Sequence, residues 1–260
     1  MNKRILLGAA AAVATLAGAS IASAQPVSAA DSLWTGPYVG GNIGGTWGNT
    51  SLRASASPGN GGIVIPPGDI SEILGTPVTT NSSTAGLAIG GELGYNYQTG
   101  HFLFGIETDG GAYDTRQSRN HTFQSTQLIN PPVFFTISQS VKTDWQWTLR
   151  PRIGYAWGPW LAYFTGGLGV TDARISAAYS DTRSPPNVSS FTFSSTRTGG
   201  VVGAGGAWMF APGWSGKIEY LYSDYGRVSE TIPIGNGFAN FTSSARVSSN
   251  VVRTGIDYKF

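Results

Sequence analysis

The chain has 260 residues, of which 12% are charged and 37 are glycine, and it contains no cysteine. That charge content is far below the roughly 25% usual in a soluble domain, and the missing cysteines exclude both a disulfide framework and a thiolate metal site. The length suits one large all-β domain or two small ones.

The first 24 residues read as a cleaved export signal. Lys3 and Arg4 form a basic start, residues 5–20 an apolar stretch, and Ala22-Ser23-Ala24 a small-residue cleavage site, so the mature chain is expected to begin at Gln25. Without Lys3 and Arg4 the chain carries 14 basic and 14 acidic residues. The overall excess of positive charge therefore belongs to the leader and is no sign of nucleic-acid binding. No later segment reads as a transmembrane helix, because the apolar runs are short and rich in glycine.

After a linker at 25–33, residues 34–260 read as one barrel domain of eight strands. Strand one is expected at 38–48, with Val39, Ile43 and Trp47 on the apolar parity. Residues 49–83, rich in Ser, Thr, Pro and Gly, read as a loop. Strand two (84–98) alternates Leu87, Ile89, Leu93, Tyr95 and Tyr97 with Glu92 and Asn96. A tight turn at Thr99-Gly100 leads to strand three (102–113), with Phe102, Phe104 and Ile106 outward and Glu107 and Asp109 opposite. Residues 114–143 read as a second loop.

Strands four and five form the clearest hairpin, running from Asp144 to Asp172. Trp145, Trp147, Leu149, Ile153, Tyr155 and Trp157 share one parity, while Arg150 and Arg152 lie on the other. Period two with one uncharged face, aromatic at both ends, fits a strand crossing a bilayer. Pro151, on the outward parity in mid-strand, is expected to cause a bulge or kink. A third loop is expected at 177–197, strand six at 198–211, strand seven at 214–229 and a fourth loop at 230–242. Strand eight ends the chain, with Val252, Thr254, Ile256, Tyr258 and Phe260 alternating with Arg253, Gly255, Asp257 and Lys259. No peptidoglycan-binding domain is expected to follow it.

Long and short connections alternate strictly, as in an outer-membrane barrel with tight periplasmic turns and long external loops. Alternation alone also fits a soluble, lipocalin-like barrel with its faces reversed, and Gly45-Thr46-Trp47 gives a short G-x-W match to that fold. A water-facing exterior needs many charges, however, and this chain has few. The fold expected is therefore an eight-stranded antiparallel up-and-down transmembrane β-barrel.

The polar parity carries Glu92, Glu107, Asp109, Arg150, Arg152, Lys217, Glu219, Arg253 and Asp257. Five acids against four bases allow a lumen that neutralises itself, with Arg150 and Arg152 pairing with Glu107, Asp109 or Glu92. Trp34, Tyr38, Tyr97, Phe102, Trp157, Trp160, Trp214, Tyr258 and Phe260 are expected to form a headgroup-level girdle at the periplasmic rim. His101 lies by a turn and His121 in a loop. Neither sits in a nucleophile–base or metal constellation, so no enzyme activity, metal or cofactor is expected. The glycine clusters lack the helix that a phosphate-binding loop must open.

WTGPYVGGNIGG at 34–45, GGELGYNYQ at 90–98, TLRPRIGYA at 148–156 and GWSGKIEYLYSDYG at 213–226 together resemble the Omp25/Omp31-type outer-membrane proteins of alphaproteobacteria, whose barrel is like the OmpA membrane domain. Pro151 departs from the small residue expected at its place in that pattern. The terminal VVRTGIDYKF, with Tyr258 and Phe260, resembles the signal read by the barrel-assembly machinery. The resemblance implies a surface protein with a structural, porin-like or host-contact role and no catalytic residues to transfer. The barrel is expected to be a monomer in contact with outer-membrane lipid and lipopolysaccharide. Envelope support is the first functional expectation. A narrow pore for small solutes is the second, and an adhesin acting through loops 49–83 and 114–143 the third.

Overall fold

The computed structural model describes residues 32–58, 80–125, 133–182, 188–234 and 239–260, so the export signal and most of the linker lie outside the described residues. Eight strands alternate with turns: β1 (Gly36–Pro58), β2 (Thr80–Thr99), β3 (Phe102–Ser125), β4 (Val133–Trp157), β5 (Trp160–Asp181), β6 (Val188–Ala211), β7 (Trp214–Ile234) and β8 (Ala239–Lys259). Each pairs antiparallel with the next, and β1 pairs with β8, closing the barrel. The tight turns carry Gly100, Gly158 and Gly213, all at positive φ, where glycine turns without a steric penalty.

The outward face is the apolar one. Phe164 is 70% exposed and Ile218 62%, while Ile43, Leu93, Phe104 and Ile153 also face out. A soluble barrel would reverse this arrangement. At the rim beside the tight turns Trp160 stacks on Trp208, Trp214 packs against Tyr258, and Tyr258 meets Phe260 edge-on. Trp34 and Tyr38, expected in this girdle, are instead buried inside. The parity that turns Val39 to lipid turns Tyr38 to the lumen, and Trp34 precedes β1 and folds under the barrel.

The strands are longer than their apolar patterns. Much of what reads as loop at 49–83, 114–143, 177–197 and 230–242 is paired strand, because β1 runs to Pro58, β3 to Ser125 and β6 starts at Val188. Beyond the membrane a strand needs no apolar face, and cross-strand hydroxyls serve it instead. Thr122 meets Thr136, Ser176 meets Thr192 and Thr231 meets Thr242, each pair directly opposite in register. Pro131-Pro132 and Pro185-Pro186 lie outside the described residues.

Pro151 causes no bulge. Ile106↔Pro151 belongs to an unbroken β3–β4 register, and Leu149↔Leu168 and Arg152↔Thr165 keep one offset across β4–β5. The proline lacks one N–H, but its carbonyl still accepts from Thr165 Oγ1 at 3.0 Å, and its ring points outward. The register shifts fall at Ala112/Thr115, Lys142/Gln146, Met209/Ala211 and Asp224/Arg227.

Adjacent glycines on β1 differ in what surrounds them. A Cβ on inward-facing Gly44 would collide with the Val252 carbonyl oxygen and lie 2.6 Å from the Arg253 Cα, whereas at outward-facing Gly45 the nearest atom is 4.0 Å away. Gly44→Ala is expected to destabilise the barrel by about 1–3 kcal/mol and Gly45→Ala to leave it unchanged. Urea unfolding of both variants in lipid vesicles checks this.

Candidate functional site

The lumen is filled in layers. Glu92 on β2, Glu107 and Asp109 on β3, Arg150 and Arg152 on β4, Lys217 and Glu219 on β7, and Arg253 and Asp257 on β8 all point inward and are buried. Strand alternation puts them there, since each is flanked by residues that face lipid.

Arg150 is at the centre, fully buried. Its Nη2 lies 2.7 Å from both Glu107 Oε1 and Asp109 Oδ2, and its Nη1 lies 3.3 Å from Glu219 Oε1. One guanidinium thus ties β4 to its neighbour β3 and, across the lumen, to β7. Arg253 completes the ring. Its Nη2 is 2.6 Å from Glu219 Oε2 and its Nη1 3.0 Å from Asp109 Oδ1. The planar fork of arginine suits such multiple carboxylate contacts.

A lower tier adjoins this ring. Lys217 Nζ contacts Glu92, lies 3.1 Å from Glu107 Oε2 and is 3.9 Å from Asp257 Oδ2. Arg152 lies 3.5 Å from Glu107 Oε2, donates from Nε to Asn96 Oδ1 at 3.0 Å, and sits over the rings of Tyr38 and Tyr163. Tyr38 donates its hydroxyl to Glu107 Oε2 at 2.8 Å, Asn42 donates to Glu92, and Thr148 donates to Asp109 at 2.5 Å.

Of these neutral partners only Asn96 was read on the inward parity from the sequence, although the alternation that places Glu92 and Glu107 inward also marks Tyr38, Asn42 and Thr148. Tyr163 sits on the same parity as Leu161 and donates to Glu219 Oε1 at 3.3 Å. The structure brings all nine charged residues into one connected cluster. Five carboxylates face four cations, and Asp257 Oδ1 has no hydrogen-bond partner.

Apolar layers close both ends. Below, Trp34 packs with Leu103, Ala156, Leu161, Tyr163 and Ala207. Its backbone N–H donates to Gln98 Oε1 at 3.0 Å and its indole N–H to the Gly158 carbonyl at 3.3 Å, so it forms a pinned lid. Above, Ala88, Tyr113, Val201, Leu221 and Val251 form one layer, and Val141, Ile175, Tyr225 and Val247 another. A cavity of about 30 Å³ lies beside Thr46, Gln146 and Tyr225, and one of about 20 Å³ beside Trp34, Arg152, Lys217 and Asp257. Each has room for little more than a water molecule.

His101 sits at the β2–β3 turn, with Nδ1 2.9 Å from the Ala156 carbonyl and its ring stacked on Tyr155. The His121 side chain lies outside the described residues. Among the described residues no group of three or more His, Cys, Asp or Glu side chains could hold a metal ion. Tyr258 and Phe260 lie on the outer rim, where the Phe260 N–H donates to the Pro37 carbonyl at 3.0 Å and joins the chain's end to the start of β1.

The model of the outer membrane protein beta-barrel domain family matches residues 11–260. The 31 kDa outer-membrane immunogenic protein of Brucella melitensis is 28% identical over 239 residues, covering 87% of this chain and 84% of the relative. The 22 kDa outer membrane protein of Rhizobium leguminosarum bv. viciae is 28% identical over 167 residues, covering 64% of this chain and 63% of the relative. Among solved structures, the attachment invasion locus protein of Yersinia pestis aligns over 86% of this chain and 99% of its own, at 11% identity and a TM-score of 0.34.

Removing one member of a buried ion cluster strands the rest, which costs about 3–5 kcal/mol. Arg150→Met is therefore expected to destabilise the barrel by that order, while Lys142→Met, which breaks the partly exposed Lys142–Asp144 pair, is expected to cost within about 1 kcal/mol. Denaturant midpoints of the two variants, measured in the same vesicles, make the comparison.

Proposed function

We propose that this chain, which belongs to the outer membrane protein beta-barrel domain family, is a non-catalytic structural protein of the bacterial surface that supports the envelope and does not conduct. The reading follows from the lumen. Arg150 is 0% exposed and Leu221 is 0% exposed above it, while Trp34 is held below by two hydrogen bonds. A solute would have to displace a paired guanidinium and three apolar layers to pass. Burying so many charges without a pathway makes sense as closure, because each charged group lies within 4 Å of an opposite charge.

Residues 34–260 act as one domain after export and removal of residues 1–24. Tyr258 and Phe260 are the signal recognised by the barrel-assembly machinery. The lipid-facing wall contacts outer-membrane lipid and lipopolysaccharide as a monomer. A second reading, contact with an external partner, is favoured by the strand extensions, since β1, β3, β4 and β6 carry paired polar backbone well past the apolar band.

The refolded mature protein in a planar bilayer is expected to be silent, and Arg150→Ala with Arg253→Ala to show discrete openings. Wild-type openings whose size changes with Arg150→Ala would reject closure and make the chain a narrow pore.

A further inference from the structure

Between the periplasmic girdle and the outer aromatic level, the described outward positions carry no charge. Charges return just above that level, and β7–β8 shows how. Up to Ser223↔Ser249 the inward residues of β7 are odd-numbered, as Leu221, Ser223 and Tyr225 show. The register then shifts by one residue between Asp224 and Arg227. Gly226, at φ +75, forms the bulge, and its N–H donates to Asp224 Oδ1 at 2.9 Å. The extra residue reverses the parity, so Arg227 turns outward instead of into the lumen. There it faces Arg246 directly across the ladder.

Two like charges in opposed register repel each other. Arg246 is paired with Asp224, but Arg227 has no ion pair among the described residues. Tyr220, hydrogen-bonded to Asn250 at 2.7 Å, and Tyr222 lie just below on the same face. The two guanidinium groups stand within roughly 10 Å of that aromatic level, given about 3.3 Å per residue and the usual strand tilt. That is the depth of the outer headgroup layer.

The β4–β5 pair offers a contrast. A register shift there also turns Lys142 outward, opposite Arg174. Lys142 pairs with Asp144, and Asp172 caps the bulge by accepting the N–H groups of Asp144 and Trp145. Within β4 and β5 two cations then meet two carboxylates, and on its other side Lys142 stands opposite Arg116 of β3. At β7–β8 one positive charge is left over.

We propose that Arg227 and Arg246 form a binding site for a phosphate group on the headgroup of an outer-leaflet glycolipid, with Tyr222 and Tyr220 against the lipid below. The proposal rests on the outer-membrane reading and deepens its lipid contact. Paired guanidinium groups donate bidentately to phosphate oxygens, and the bound anion relieves their mutual repulsion.

The test titrates the refolded mature protein in nonionic micelles with a bisphosphorylated glucosamine-disaccharide lipid and with the same lipid dephosphorylated. Wild type is expected to prefer the phosphorylated form by about tenfold or more. Arg227→Gln with Arg246→Gln should abolish the preference, Arg227→Lys with Arg246→Lys should keep most of it, and Lys142→Gln with Arg174→Gln should leave it intact. Millimolar inorganic phosphate should not compete. Equal binding of the two lipids by wild type, survival of the preference in the double glutamine variant, or displacement by inorganic phosphate would each overturn the proposal. Insertion of each variant into phospholipid vesicles is followed in parallel. A barrel that inserts but shows no phosphate preference loses only this site, whereas one that fails to insert as wild type loses the membrane reading itself.

Discussion

A bilayer offers no hydrogen-bond partner to a bare backbone, and this constraint governs the molecule. Each N–H and C=O in the membrane must find its mate within the protein, so a β-chain must close on itself. Closure through β1 and β8 does this, and it dictates the side chains in turn. One parity meets lipid and must be uncharged. The other meets a lumen too narrow to hold bulk water in an eight-stranded barrel, so any charge placed there must be matched by another. The buried cluster around Arg150 is thus a consequence of the same constraint that closes the sheet.

Such a cluster is weak evidence for net stability, because taking nine charges out of water costs as much as their attraction returns. Its effect lies in specificity. Arg150 reaches carboxylates on both β3 and β7, and Arg253 reaches β3 from β8. A slip of one residue between any of these strands would turn a charged side chain to lipid. The cluster therefore favours one register over its neighbours, which the apolar face alone, with its many similar residues, does less sharply. The same groups that hold the register also fill the lumen, between the apolar layers on either side.

The eight strands, their order and the two faces were legible because period-two alternation survives even in a glycine-rich chain. The inward charges were legible for the same reason. Tyr38 and Trp34 were misplaced because aromatic content outweighed parity, although Val39 outward already requires Tyr38 inward. The strand extensions were hidden because Ser and Thr at 49–83 or 177–197 have the composition of a loop, and nothing local reveals that Ser176 will face Thr192. Pro151 misled in the opposite direction. Its missing N–H affects one side of one strand, and a continuous ladder on the β3 side carries it through without an inserted residue.

The bulges were the least legible feature, and they lie where the physical problem changes. Inside the membrane, parity is enforced, since one misplaced charge is costly. Above it the outward face meets water, and an inserted residue costs little there. Register shifts on β3, β4 and β7 sit at this transition, two of them capped by an aspartate. Each resets which residues face outward, so outward charges such as Lys142 and Arg227 lie on the numerical parity that faces the lumen lower down. A sequence pattern read with one fixed period assigns those residues to the wrong face. It therefore loses the outer surface at the level where the barrel leaves the lipid and presents itself to its surroundings.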